Sequence, residues 1–95
     1  MSSRRVLVAL ATYNEIENLP ALVEAILAVL PTADVLVIDD NSPDGTGRWC
    51  DERASIEPRL FCLHRAGKMG LGSATIAGMC WAVEKSYDVF VTMDA

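Results

Sequence analysis

Val35-Leu36-Val37-Ile38-Asp39-Asp40-Asn41-Ser42-Pro43-Asp44-Gly45-Thr46 is the stretch that decides the fold. Val35 to Ile38 is an unbroken apolar run, the pattern of a parallel strand covered on both faces. It breaks into Asp, Asn, Ser, Pro and Gly, residues that form turns through their own side chains or fixed dihedrals. The same grammar recurs on either side. Val6-Leu7-Val8-Ala9-Leu10-Ala11 runs into Thr12-Tyr13-Asn14-Glu15, and Leu60-Phe61-Cys62-Leu63 leads to Arg65-Ala66-Gly67-Lys68-Met69-Gly70-Leu71-Gly72-Ser73-Ala74. Val89-Phe90-Val91-Thr92-Met93 meets Asp94-Ala95.

Helical spacing fills the gaps between these strands. Asn18 is placed to cap a helix whose first turn tolerates Pro20, and Leu19, Leu22, Val23, Ile26, Leu27 and Leu30 recur at helical spacing until Pro31. A short helix is predicted over 46–54. A third, from about Leu71 to Lys85, carries Ile76, Met79, Cys80 and Val83 on one side. Strands alternating with helices imply right-handed crossovers and a mostly parallel sheet. The expected order is 3-2-1-4, which places a reversal, and so a ligand-binding crevice, beside the first strand at the carboxyl edge. Residues 1–95 read as one α/β unit without repeat, low-complexity tract or linker.

Composition narrows the function. An apolar fraction of 52% describes a chain that folds around a core. A net charge of −5 without basic clustering argues against nucleic acid as a partner. The apolar run after Arg4-Arg5 is too short for a signal peptide or a membrane span, so the chain reads as cytoplasmic. Cys50, Cys62 and Cys80 are odd in number and widely spaced, with His64 the only histidine. Neither a zinc site nor a disulfide framework is expected, and reduced cysteines packing as small apolar side chains are.

The polar loops hold the chemistry. Ser42, Pro43, Asp44 and Gly45 are accounted for as turn formers, with Ser42 or Asp44 free to cap the next helix. Asp39 and Asp40 differ: adjacent carboxylates at the end of a buried strand repel and lose hydration unless a cation or hydrogen-bond donors compensate. One of them is expected to meet a ligand, accepting nucleobase N–H groups or ribose hydroxyls, or coordinating a metal. Tyr13 serves equally well as a packing ring or as a face for a base or sugar, and Glu15 as a ligand contact or a solvated first-turn acid. Gly67, Gly70 and Gly72 with Lys68 suit an anion, yet their spacing fits neither GxxxxGK[ST] nor GxGxxG. Arg65 and Lys68 read either as phosphate or sugar contacts or as solvated loop cations. Asp94 is a metal ligand, a helix cap or a loop acid.

Together, Ala11-Thr12-Tyr13-Asn14-Glu15-Ile16-Glu17-Asn18-Leu19-Pro20, Val37 to Thr46, Gly67 to Ala74 and Met93-Asp94-Ala95 resemble the polyprenyl-phosphate (dolichol-phosphate) mannosyltransferase group of family 2 glycosyltransferases. The likeness spans essentially the whole chain; the family usually has proline where Ala11 stands. It implies the N-terminal half of a GT-A, Rossmann-like nucleotide-sugar-binding fold. It further implies donor-nucleotide contacts from Tyr13, Glu15, Ile38, Asp40, Asp94 and Ala95. Asp94 would be the first aspartate of an Asp-X-Asp motif holding a divalent metal, Mg²⁺ or Mn²⁺, with the chain ending before the second.

The implied activity is inverting transfer of mannose from GDP-mannose to a polyprenyl phosphate at the cytoplasmic face of a membrane. No catalytic base is identifiable, and the chemistry explains why: a phosphate monoester has its second pKa at about 6 and is already ionised at neutral pH. Two alternatives stay open at this stage. One is a related enzyme using a UDP-sugar; the other, for these residues alone, is a non-catalytic nucleotide-binding module. By themselves residues 1–95 are expected to be inactive and to self-associate through an open sheet edge.

Overall fold

The computed structural model describes residues 4–66 and 71–94, with only the backbone of Leu71 and Asp94. Strand β1 (Val6–Thr12) leads to helix α1 (Leu19–Val29), β2 (Ala33–Asp39), α2 (Thr46–Ala54), β3 (Leu60–His64), α3 (Leu71–Glu84) and β4 (Val89–Asp94). The strands form one sheet in the order β3-β2-β1-β4, every neighbouring pair parallel, as expected.

Because successive strand residues point to opposite faces, each apolar run feeds two cores. Val8, Leu10, Val35 and Val37 pack with Leu19, Val23, Ile26 and Leu27 of α1 and with Cys50 of α2. Leu7, Ala9, Leu36 and Ile38 face the other way, onto Ala74 and Ala82 of α3. Helices cover both faces, which is why these strands show no polar alternation.

Helix α3 packs with a different face from the one its bulky residues suggest. Ile76, Met79 and Val83 are 64%, 49% and 72% exposed, and Cys80 is exposed as well. The buried line is Ala74, Gly78 and Ala82, spaced one helical turn apart. Small residues let the helix axis approach the sheet: a Cβ on Gly78 would lie 2.8 Å from Ile38 Cδ1. Trp81 closes the layer, its ring 5.2 Å from Phe61 and 5.9 Å from Tyr87, centroid to centroid.

The cysteine expectation is overturned. Cys50 and Cys62 form a disulfide, and Cys80 alone is free. Packing α2 against β3 brings the two Cα atoms to 6.3 Å, inside the range a disulfide requires. Asn18 does occupy the N-cap position of α1, but its side chain makes no capping bond. The Glu15 carbonyl instead accepts from the N–H groups of Asn18 and Leu19. At the other end of α1, the Arg59 guanidinium donates to the carbonyls of Leu27 and Leu30, taking up groups at the helix terminus, and to that of Ala33 at the start of β2. Opposite the site edge, the Tyr87 hydroxyl donates to Asp34 and the Arg5 guanidinium lies 4.3 Å from the Tyr87 ring centre. Burial, with the Asp34 hydrogen bond second, raises the Tyr87 pKa to about 12.

Candidate functional site at the carboxyl edge of the sheet

Strand register brings the polar loops together. Ala11 is paired with Ile38 on one side and with Asp94 on the other, and Thr12 is paired with Asp39. Tyr13, Asp40 and Asp94 therefore stand at one edge of the sheet, beside β1, where the sheet grows to β2 and β3 on one side and the chain returns to add β4 on the other. Open α/β sheets bind ligands at such a reversal.

The paired aspartates have different partners. Asp39, 2% exposed, accepts from Thr12 Oγ1 at 3.0 Å, from the Ser42 N–H at 3.1 Å and from Ser42 Oγ at 2.5 Å. It organises the turn. Asp40 is held by a guanidinium: Arg65 Nε and Nη2 donate to its two carboxylate oxygens at 2.7 and 3.1 Å. The remaining arm, Arg65 Nη1, donates to Ser73 Oγ at 2.9 Å, and the Arg65 N–H donates to the Asp39 carbonyl at 2.8 Å. The Arg65 side chain, only 10% exposed, has all three of its arms engaged within the protein.

The turn after β2 has a second use that residue type alone does not reveal. Three consecutive N–H groups beyond β1 dock onto it: Asn14 to Ser42 Oγ at 2.9 Å, Glu15 to Thr46 Oγ1 at 3.1 Å and Ile16 to Asp44 Oδ2 at 3.1 Å. Asp44 also accepts from the N–H and hydroxyl of Thr46. Burial would raise the Asp44 pKa, but the bonds from Thr46 and Ile16 outweigh it and hold it below the usual carboxylate value. Asn14 and Asn41 adopt φ of 56° and 58°, and Gly45 adopts 94°, turning the chain sharply on both sides of this junction. The signal that could have found these roles is an accounting one: N–H groups in a loop between strand and helix must find acceptors.

Tyr13 is 38% exposed, whereas Ile38 is buried at 1%. Ile38 lines a cavity of about 90 Å³ with Ala11, Thr75, Thr92 and Met93, between the sheet and α3. On the other flank a polar pocket of about 480 Å³ is bordered by Asn41, Ser42, Arg48, His64 and Arg65, a volume typical of small-molecule sites. His64 Nε2 and Asp51 Oδ1 are 2.8 Å apart on its rim. Glu15 is half-buried. Lys68 and Ala95, both assigned contacts from sequence, lie outside the described residues.

Among the described residues no group of three or more His, Cys, Asp or Glu side chains is arranged to hold a metal. Asp94 is an oxygen donor of the kind Mg²⁺ and Mn²⁺ prefer, and such ions commonly complete their shell with phosphate oxygens and water. Also among the described residues, no helix is long and apolar enough to cross a membrane.

Known proteins resemble this chain in sequence and in fold. The chain is 54% identical over 91 residues to the undecaprenyl-phosphate mannosyltransferase of Micrococcus luteus, covering 96% of this chain and 37% of that protein. It is 47% identical over 94 residues to the polyprenol monophosphomannose synthase of Mycolicibacterium smegmatis, covering 98% and 36%. A dolichol-phosphate mannosyltransferase of Pyrococcus furiosus is 41% identical over 93 residues, covering 96% and 25%. The chain thus spans between a quarter and about two fifths of the length of these relatives. Among solved structures, the mannosyltransferase PcManGT of Pyrobaculum calidifontis, in complex with GDP-Man and Mn²⁺, superposes with a TM-score of 0.63 at 26% identity. The superposition covers 85% of this chain and 25% of that one. A model of the family described as glycosyl transferase family 2 matches residues 7–95, nearly the whole of the sheet and its loops, and the chain belongs to that family.

Proposed function

We propose that the protein containing this chain transfers mannose from GDP-mannose to a polyprenyl monophosphate, and that the carboxyl edge of the sheet binds the donor nucleotide. The observation that carries this reading is the register that brings the Tyr13 loop, Asp40 and Asp94 to one edge beside the β1 reversal. The mannosyltransferase names of three relatives and the GDP-Man complex of the structural neighbour support the substrate classes.

In this reading Asp40 accepts N–H groups of the base, and Ile38 lies under it. The Tyr13 ring offers an apolar face, and Glu15 a carboxylate for ribose hydroxyls. The acceptor phosphate, ionised at neutral pH, attacks the anomeric carbon from the side opposite the leaving group. A bond forms between that carbon and a phosphate oxygen, the bond to the diphosphate breaks, and GDP departs with configuration inverted. No residue of this chain has to remove a proton. A divalent ion, held by Asp94 together with donor phosphate oxygens, would stabilise the departing diphosphate when bound. The membrane is met through the lipid acceptor, at its cytoplasmic face.

The test is transfer of labelled mannose to a short-chain polyprenyl phosphate by the full-length protein, with GDP-mannose and UDP-sugars supplied in parallel. Transfer from GDP-mannose alone is expected. Asp40→Asn should weaken GDP binding by about tenfold or more, because hydrogen bonds to charged groups contribute about 1.5–3 kcal/mol. Transfer from a UDP-sugar only, or Asp40→Asn with unchanged affinity and a lowered melting temperature, would overturn the assignment.

A further inference from the structure

We infer that Arg65 is a positioning residue that sets the plane of the Asp40 carboxylate for ligand recognition and links it to the first turn of α3. This rests on the nucleotide reading above and replaces the direct anion contact suggested by residue type.

A carboxylate has about four lone-pair sites, and the guanidinium fork uses two of them. The other two lie outside the fork and are the ones assigned here to the base. Asp40 is also fixed from behind, since its N–H donates to the Thr12 carbonyl at 3.1 Å. Arg65 is fixed in turn by its own N–H on the Asp39 carbonyl and by Nη1 on Ser73 Oγ, so β2, β3 and α3 all bear on one carboxylate. Side-chain exposures of 10% and 8% make this a nearly buried pair. Such pairs lose hydration and seldom add stability over apolar packing, so holding a geometry is the physical reason for one here. Lysine cannot substitute, because a single ammonium lacks the two-pronged match to both oxygens and an arm left over for Ser73.

The experiment is calorimetric titration of guanosine and GDP into the full-length protein and its Arg65→Lys, Arg65→Ala, Ser73→Ala and Asp40→Asn variants. Arg65→Lys should weaken guanosine and GDP by the same factor, about tenfold, since the defect lies in base recognition. Combined with Asp40→Asn it should cost little more than Asp40→Asn alone, the non-additivity of groups that act as one unit. Should Arg65→Ala fail to fold, Arg65→Lys and Ser73→Ala still decide, the latter with a severalfold loss for both ligands. A loss confined to GDP would mean that Arg65 touches the diphosphate itself and would overturn the inference. So would a lower melting temperature with unchanged affinities. If the unaltered protein binds neither ligand, the nucleotide reading fails first and takes this role with it.

Discussion

Reducing the Cys50–Cys62 bond should destabilise the domain without dismantling the sheet. The two cysteines are 12 residues apart in sequence and join α2 to β3, so the bond closes a short loop in the unfolded chain. Chain-entropy reasoning for that loop gives about 9.5 cal/mol/K, or about 2.8 kcal/mol at room temperature. For a domain of this size each kcal/mol moves the melting temperature by about 4–8 °C, so a fall of about 10–20 °C is expected. The assay is urea unfolding of oxidised protein, phosphine-reduced protein and a Cys50→Ala/Cys62→Ala variant, with thiols titrated under native and denaturing conditions. Reduction should lower the midpoint and raise the denaturant slope, because the unfolded chain, freed of its crosslink, exposes more surface. The variant should lose somewhat more, since Cys50 is fully buried and its sulfur fills core volume. Three titratable thiols in unreduced, denatured protein, with a midpoint indifferent to reductant, would refute the reasoning.

Two further outcomes follow from individual partners. Asp39→Asn should cost about 2–3 kcal/mol in urea unfolding, because an amide replaces a charged acceptor that takes bonds from Thr12 and Ser42; a midpoint within error of the unaltered protein would show that the turn holds without it. Tyr87, with its pKa raised to about 12, lends stability that is fully present below the ordinary tyrosine value of 10.0 and is lost as pH climbs through the folded value. Tyr87→Phe should therefore flatten the alkaline limb of the stability profile, followed by melting temperature against pH, and an unchanged limb would assign that loss to other groups.

Element order and sheet topology were legible in the sequence because local periodicity encodes them. Apolar runs such as Val35 to Ile38 mark strands buried on both faces, and strand-helix alternation leaves few right-handed, unknotted ways to connect them. The loops of the site were legible for a related reason, since polar residues at strand ends in such a sheet meet at one edge. The part each polar side chain plays there was not. Asp39 and Asp40 are adjacent and identical in type, and only the tertiary structure gives one to Thr12 and Ser42 and the other to Arg65. For Arg65, sequence shows the charge and conceals the partner, Asp40, 25 residues away. Helix α3 misled in the same way: bulk and hydrophobicity nominated Ile76, Met79 and Val83, whereas close approach to Ile38 and Phe90 favoured Ala74, Gly78 and Ala82. The disulfide was invisible to a count of cysteines, since pairing depends on the distance between α2 and β3. Periodicity and turn chemistry are properties of the chain read in order, and they determined the fold; who pairs with whom across that fold is a matter of distances between segments remote in sequence, which only the packed structure decided.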